Sequence, residues 1–361
     1  MNRYFNLFAN CFIVYGFNRS LIFDAQRMKT VFIPNDIYEI IMKAKNNSIE
    51  QIYEEYGLEN KSTIDEYFDS LIENELGFYL SEKERAFFPN IDTKYHSPFE
   101  ITNCVLEEMR DSALLKNTIS QLEALGCQYV ELIFYKDIIN EYLENILTLF
   151  KSSSIKYIGL IIPYTENKDT VFLKKICTQH LRLNKILIHG VPSDKENDKV
   201  THGFTDIIYV HQPFTNFSYC GTVSKKFFSP SMEHYMESQN HNSCLNQKIS
   251  VDANGNIRNC PALPKSFGNI KETTLSEAIH TRGYKQMWSI SKDDIDTCKD
   301  CEFRHICTDC RAFVEAPEDY YSKPLKCGYD PYTNTWSEWS TNPLKKKGIE
   351  FYKMKDITQE N

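Results

Sequence analysis

Cys298-Lys299-Asp300-Cys301-Glu302-Phe303-Arg304-His305-Ile306-Cys307-Thr308-Asp309-Cys310 sets four thiols at intervals of two, five and two residues. Cys327 follows sixteen residues on, and Cys244 and Cys260 precede it, with Gly255 between them. Seven of the chain's twelve cysteines thus fall between Cys244 and Cys327. Thiolates at this density serve as disulfides, zinc ligands or iron-sulfur ligands. An odd count of seven disfavours a closed disulfide framework. Two C-x2-C pairs could make one tetrahedral zinc site, which leaves Cys244, Cys260 and Cys327 unused. The same tight intervals also suit cubane clusters bound by short consecutive loops. Spacing alone leaves zinc and iron-sulfur both open.

The rest of the chain is globular in composition: 361 residues, 42% apolar and 25% charged, enough for two or three domains. A net charge of −8 lacks the basic footprint of nucleic-acid binders. No apolar run is long enough to span a membrane. The segment after Arg3 has too many polar and bulky residues before Cys11 for a signal peptide, so a reducing, cytoplasmic location is expected.

Residues 11–15, 21–23 and 30–33 read as short strands separated by turn chemistry. Helices are expected over 36–45 and 49–56, with a third starting near Ser62. A hairpin of 78–80 with 86–88, turning at 81–85, would complete a winged-helix-like unit. Its third helix carries Asp65, Glu66, Asp69, Glu73 and Glu75, which phosphates would repel. A peptide added beside a sheet edge is the better ligand.

From residue 98 to about 215 strands and helices alternate. Strands are expected at 99–102, 129–134, 157–162, 185–189 and 206–211, with helices at 113–125, 138–150 and 171–183. Crossover helices between near-continuous apolar runs predict a parallel α/β sheet or partial barrel, with any ligand at the carboxyl strand ends. Those ends offer Asn103, Cys104, Glu107, Tyr135, Lys136, Asp137, Tyr164, Glu166, His189 and His211, and no Gly-rich phosphate loop. The histidines read as polar lining and Cys104 as a buried small hydrophobe; no catalytic residue is assigned. Residues 216–243 carry no clear pattern.

Asn254-Gly255 marks a two-residue hairpin that would return the chain so that Cys244 and Cys260 approach one centre. The last residues hold Trp336, Trp339 and Lys345-Lys346-Lys347, a triplet expected to be solvated.

The order C-x10-G-x4-C followed by C-x2-C-x5-C, with Gly268-Asn269-Ile270 between, resembles the SPASM domain of radical S-adenosylmethionine (SAM) peptide-modifying enzymes. The resemblance implies two auxiliary [4Fe-4S] clusters: one on Cys298, Cys301, Cys307 and Cys327, the other on Cys244, Cys260 and Cys310 with one thiolate fewer. It departs from the family at the last short interval, two residues where three are usual. It departs again where C-x3-C-x2-C should bind the SAM cluster: Ile101 to Glu107 hold only Cys104, and Phe134-Tyr135-Lys136-Asp137 replaces a Gly-Gly-Glu-Pro-like contact. SAM is therefore not expected as a cofactor.

These traits, with Arg19-Ser20-Leu21-Ile22-Phe23-Asp24 and Cys327-Gly328-Tyr329-Asp330-Pro331-Tyr332, resemble the SPASM-domain peptide maturase of grasp-with-spasm systems. The resemblance implies an α/β protein in four parts. A winged-helix-like precursor-recognition unit spans 1–92, a degenerate partial (β/α) TIM-like barrel 93–240, the SPASM domain 241–335 and a tail 336–361. The implied partners are a precursor peptide and an ATP-grasp ligase, with no nucleic acid and no membrane. A non-catalytic adaptor that presents the precursor and a zinc-stapled regulatory protein are the alternatives.

Overall fold

The computed structural model describes residues 2–193 and 199–354. The N-terminal unit has strands β1 (Arg3–Leu7), β2 (Cys11–Val14), β3 (Ser20–Asp24) and β4 (Lys29–Ile33), then helices α1 (Asn35–Ala44), α2 (Ile49–Tyr56) and α3 (Lys61–Glu73). β2, β3 and β4 form an antiparallel sheet with β4 at its edge. Side chains alternate across it. Cys11, Ile22 and Ile33 enter the core under the helices, with Ile40, Ile52, Ile64 and Phe68. Phe12, Val14, Leu21 and Phe23 face the other way, into a core shared with Val223, Phe303, Ile306, Cys307, Cys327 and Tyr329.

The expected wing hairpin does not form. β5 (Gly77–Ser81) pairs instead with β1, Phe5 opposite Tyr79, and residues 82–85 turn into a short helix, α4 (Glu82–Arg85). The reason is a capping box: Ser81 N–H donates to Glu84 Oε2 at 2.7 Å, so the residues read as a turn start a helix.

The central sheet has eight strands. β6 (Asn103–Glu107), β7 (Tyr129–Ile133), β8 (Tyr157–Pro163), β9 (Leu183–His189) and β11 (Thr205–Val210) run parallel in sequential order. The intervening helices are α5 (Ser112–Ala124), α6 (Asn140–Leu149) and α7 (Thr170–Gln179). β10 (Lys199–His202) and β13 (Ile257–Arg258) close the two ends, and the sheet stays open. β12 (Lys248–Val251), from the stretch expected to belong to the cysteine-rich unit, pairs parallel with β6 and extends this sheet. One face, with Cys104, Leu106, Val130, Leu132, Leu160, Ile186 and Ile188, is fully buried under the helices.

The first parallel strand lies four residues later than expected. Residues 99–102 are not strand: Glu100 and Ile101 N–H both bond Leu125 O at 3.2 Å, and Phe99 packs on Gly126, whose left-handed φ of 82° ends α5. Their apolar side chains are thus buried by a helix end rather than by strand pairing. Helices α8 (Met232–Ser238), α9 (Leu275–His280) and α10 (Lys346–Phe351), with the two-residue strands β14 (Tyr329–Asp330) and β15 (Thr335–Trp336), complete the chain.

The lysine triplet is not wholly solvated. Lys345 Nζ is buried and donates to Leu325 O, Cys327 O and Glu315 Oε1, each at 2.7 Å, because three acceptors converge where the chain end crosses the cysteine domain. Among the described residues no helix is long and apolar enough to cross a membrane.

Candidate metal centres

All twelve cysteines are unpaired thiols. Eight gather into two quartets. Cys298, Cys301, Cys307 and Cys327 line one narrow cavity together with Val223, Phe228, Phe303 and Trp336. Burial pushes the Cys298 thiol up to about 12, with Cys327 adding to the effect. Burial likewise raises Cys301 and then Cys307, the neighbouring thiols contributing in each case. Thr297, immediately before Cys298, sits at φ 69°, a strained setting for a β-branched residue.

The second quartet is Cys220, Cys244, Cys260 and Cys310. Burial pushes Cys220 up to about 12, and Cys244 and Cys310 lie close enough to raise it further. Burial raises Cys260 too, with Cys244 and Cys220 adding to it. The hairpin of β12 and β13 turns through Gly255 (φ 84°) and returns Cys260 towards Cys244, but over a loop longer than the expected two residues, closed by Asp252 N–H to Asn256 O at 3.0 Å.

Cys220 is the residue that the sequence reading passed over. It lies in the unpatterned segment, 24 residues before Cys244. Its one local signal is the Gly that follows. Gly221 has φ 88°, and a Cβ there would stand 2.9 Å from Cys310 Sγ, so only glycine lets the chain pass this closely over the thiol.

The quartets are neighbours. Cys307 and Cys310 are three residues apart yet belong to different quartets, which holds those Cα atoms within roughly 10 Å. A second link runs from Lys326, whose Nζ donates to Cys220 O at 3.0 Å, to Val223, which bridges to Cys327. Each quartet has a lysine against it. Lys292 Nζ lies 3.1 Å from Cys307 Sγ, and Lys248 Nζ 3.9 Å from Cys244 Sγ. Burial works against both ammonium groups, but the nearby thiols and carboxylates prevail and raise their pKa values.

The second quartet adjoins the carboxyl ends of the strands. Tyr135 OH donates to Glu107, a carboxyl that burial raises, and Tyr135 lies within electrostatic reach of Cys220 and Cys260. Tyr219 stacks on Phe214 at 4.0 Å, and Phe214 on His189. His189 is held on both nitrogens: Nδ1 accepts from Phe214 N at 3.1 Å and Nε2 lies 3.4 Å from Phe134 O. His211 Nδ1 faces Val191 O at 2.7 Å. Asn103, Cys104 and Glu107 lie within β6 rather than after it, and Cys104 is fully buried on the apolar face.

The loop after β6 is Glu108-Met109-Arg110-Asp111, and it is bound to the loop after β7. Glu108 Oε1 accepts from Tyr135 N at 2.7 Å and Lys136 N at 3.0 Å, while Arg110 donates to Lys136 O at 2.8 Å and Asp137 O at 3.0 Å. Asp137 is further held by Lys168 at 3.0 Å.

A set of eight cysteines, five buried and three half-buried, in two neighbouring quartets has the donor chemistry of thiolate-bound clusters. Among the described residues no group of three or more His, Cys, Asp or Glu is arranged to hold a single metal ion.

Residues 243–302 match the family model of SPASM, an iron-sulfur cluster-binding domain. The match includes Cys244, Cys260, Cys298 and Cys301. The chain also aligns with the crystal structure of Streptococcus suis SuiB bound to precursor peptide SuiA, at 10% identity and TM-score 0.34, over 88% of this chain and 98% of that one. The crystal structure of SuiB bound to S-adenosylmethionine gives 10% identity and TM-score 0.32, over 89% and 98%. No curated protein matches the sequence. Residues 243–302 are thus similar to an iron-sulfur cluster-binding domain of the SPASM type.

Proposed function

We propose that this chain takes part in maturing a ribosomally made peptide, binding the precursor's leader through its N-terminal unit beside two [4Fe-4S] clusters, in concert with an ATP-grasp ligase. The observation that carries the reading is the shared core. The sheet whose free edge, β4, suits strand addition by a peptide rests directly on the first quartet, Phe12 and Phe23 meeting Phe303 and Cys307. Cys298, Cys301, Cys307 and Cys327 would hold one cluster and Cys220, Cys244, Cys260 and Cys310 the other. Each would then be fully thiolate-bound, and neither keeps an iron open for substrate. Such clusters supply one-electron redox chemistry.

No SAM cluster belongs to this reading. C-x3-C-x2-C occurs nowhere in the sequence. The loop that would carry it uses Glu108 and Arg110 to occupy the backbone of 135–137. The same bridge favours a second reading, an adaptor that presents the precursor to the ligase, since it leaves no catalytic constellation at the strand ends.

The test is direct. A labelled leader from the precursor should bind the cluster-loaded chain with micromolar affinity or better by fluorescence anisotropy, and N-methylation of alternate leader residues should weaken it. A leader that shows no saturable binding removes the recognition role. A product mass that requires the eight cysteines as well as the ligase supports chemistry by this chain; the complete product from the ligase alone supports the adaptor.

A further inference from the structure

Lys292 is 4% exposed and lies against the first quartet. Its Nζ donates to Cys307 Sγ at 3.1 Å and to Thr308 O at 2.8 Å. The nearest carboxylate, Asp309, is 4.0 Å away and already committed. Its Oδ1 accepts from Arg311 Nη2 at 2.7 Å and Cys310 N at 2.8 Å, and its Oδ2 from Asn242 Nδ2 at 2.6 Å. Arg311, itself 1% exposed, balances the Asp309 charge, so the Lys292 ammonium is left facing sulfur. The second quartet differs. Lys248 stands at the longer 3.9 Å from Cys244 Sγ, and the Glu131 carboxylate lies within electrostatic reach of it.

Resting on the iron-sulfur reading above, we propose that Lys292 is a redox-tuning residue whose N–H···S bond raises the reduction potential of the Cys298/Cys301/Cys307/Cys327 centre. One electron added to a thiolate-bound cubane increases the negative charge on its sulfurs. A buried ammonium in contact with one of them favours the reduced state, and hydrogen bonds to ligand sulfur and net charge are the levers a protein has on cluster potential. The second centre has its own buried cations, Lys248 near Cys244, Cys260 and Cys220 and Lys326 near Cys310 and Cys220, so a change at Lys292 is felt chiefly at the first centre.

The experiment uses the full chain reconstituted anaerobically with iron and sulfide, titrated with dithionite and followed by electron paramagnetic resonance. Two one-electron waves are expected. Lys292→Met keeps the length of the side chain and removes its charge. It should lower the equilibrium constant for reduction in one of the two waves at least tenfold, about 59 mV for one electron, and leave the other in place. Lys292→Gln, which retains an N–H donor, should move the same wave by less. Waves unmoved in both variants at wild-type iron content overturn the proposal, as do two waves displaced equally. If Lys292→Met fails to hold iron, the Lys292→Gln wave decides alone: displaced downward it supports the role, unmoved it refutes it. A chain that binds zinc and shows no cluster signal sinks the iron-sulfur reading itself, an outcome distinct from intact clusters with unchanged potentials.

Discussion

Arg19 is one of the polar ties between the N-terminal unit and the cysteine domain, beside the bonds from Asn18 to Tyr332 O and from Phe17 N–H to Asp300 O. Its Nε lies 2.8 Å from Glu302 Oε1, its Nη2 3.3 Å from Tyr329 OH, and its guanidinium 3.6 Å from the centre of the Phe32 ring. The Glu302 side chain is 1% exposed, and its other oxygen has no hydrogen-bond partner among the described residues. Arg19→Met would leave that carboxylate buried with only the hydroxyl of Tyr329, at 2.6 Å, as a close donor. Breaking a buried ion pair costs about 3–5 kcal/mol, and the cation–ring contact adds roughly 0.5–1 kcal/mol. Because Arg19 is 30% exposed, water can reach the vacated site, and the expected cost falls to about 3 kcal/mol. Trp336, whose ring lies 5.0 Å from Tyr329, reports on this junction, so urea unfolding followed by tryptophan fluorescence reads the loss. Arg19→Met combined with Glu302→Gln removes the stranded charge and should recover at least half of it. A change below about 0.5 kcal/mol in Arg19→Met would show that the N-terminal unit does not dock through this pair.

Three further outcomes are expected. Cys220→Ala should lower the iron of the reconstituted chain from about eight to about four per chain, while Cys127→Ala, a cysteine of neither quartet, leaves it unchanged. Gly221→Ala should weaken the same centre, because its Cβ meets Cys310 Sγ at 2.9 Å; iron content and unfolding midpoint would both fall, and an unaffected protein would contradict the close approach. Burial raises the Glu237 carboxyl to about 7, above its unfolded value near 4.5. A raised carboxyl contributes stability that is complete below about pH 4.5 and lost as pH rises through 7, on the order of 3 kcal/mol in all. Glu237→Gln keeps an acceptor for Asn246 and should flatten that part of the stability–pH curve.

Short loops bring Cys298, Cys301 and Cys307 together by spacing, but placing Cys327 rather than Cys310 with them was implied only by the resemblance to the SPASM domain. Cys220 was not legible, since only tertiary folding carries residues 218–223 between the two quartets, tied there by Lys326 and Val223. The parallel strands showed through as apolar runs, yet the first was misplaced because Phe99 and Ile101 form an equally apolar run that packs on the end of α5. The wing was misread for a similar reason: Ser81 and Glu84 make a capping box, and the partner of β5 comes from Arg3–Leu7, distant in sequence. Lys345 shows the limit of charge as a guide to exposure, for three acceptors converging in space are invisible along the chain.

The central claim is that eight thiols hold two cubane clusters. Metal and sulfide analysis of the anaerobically reconstituted full chain tests it most directly. The account predicts about eight iron and about eight acid-labile sulfide per chain, with broad visible absorption that bleaches on reduction. Zinc at one or more per chain, with no labile sulfide and a colourless protein, would contradict it.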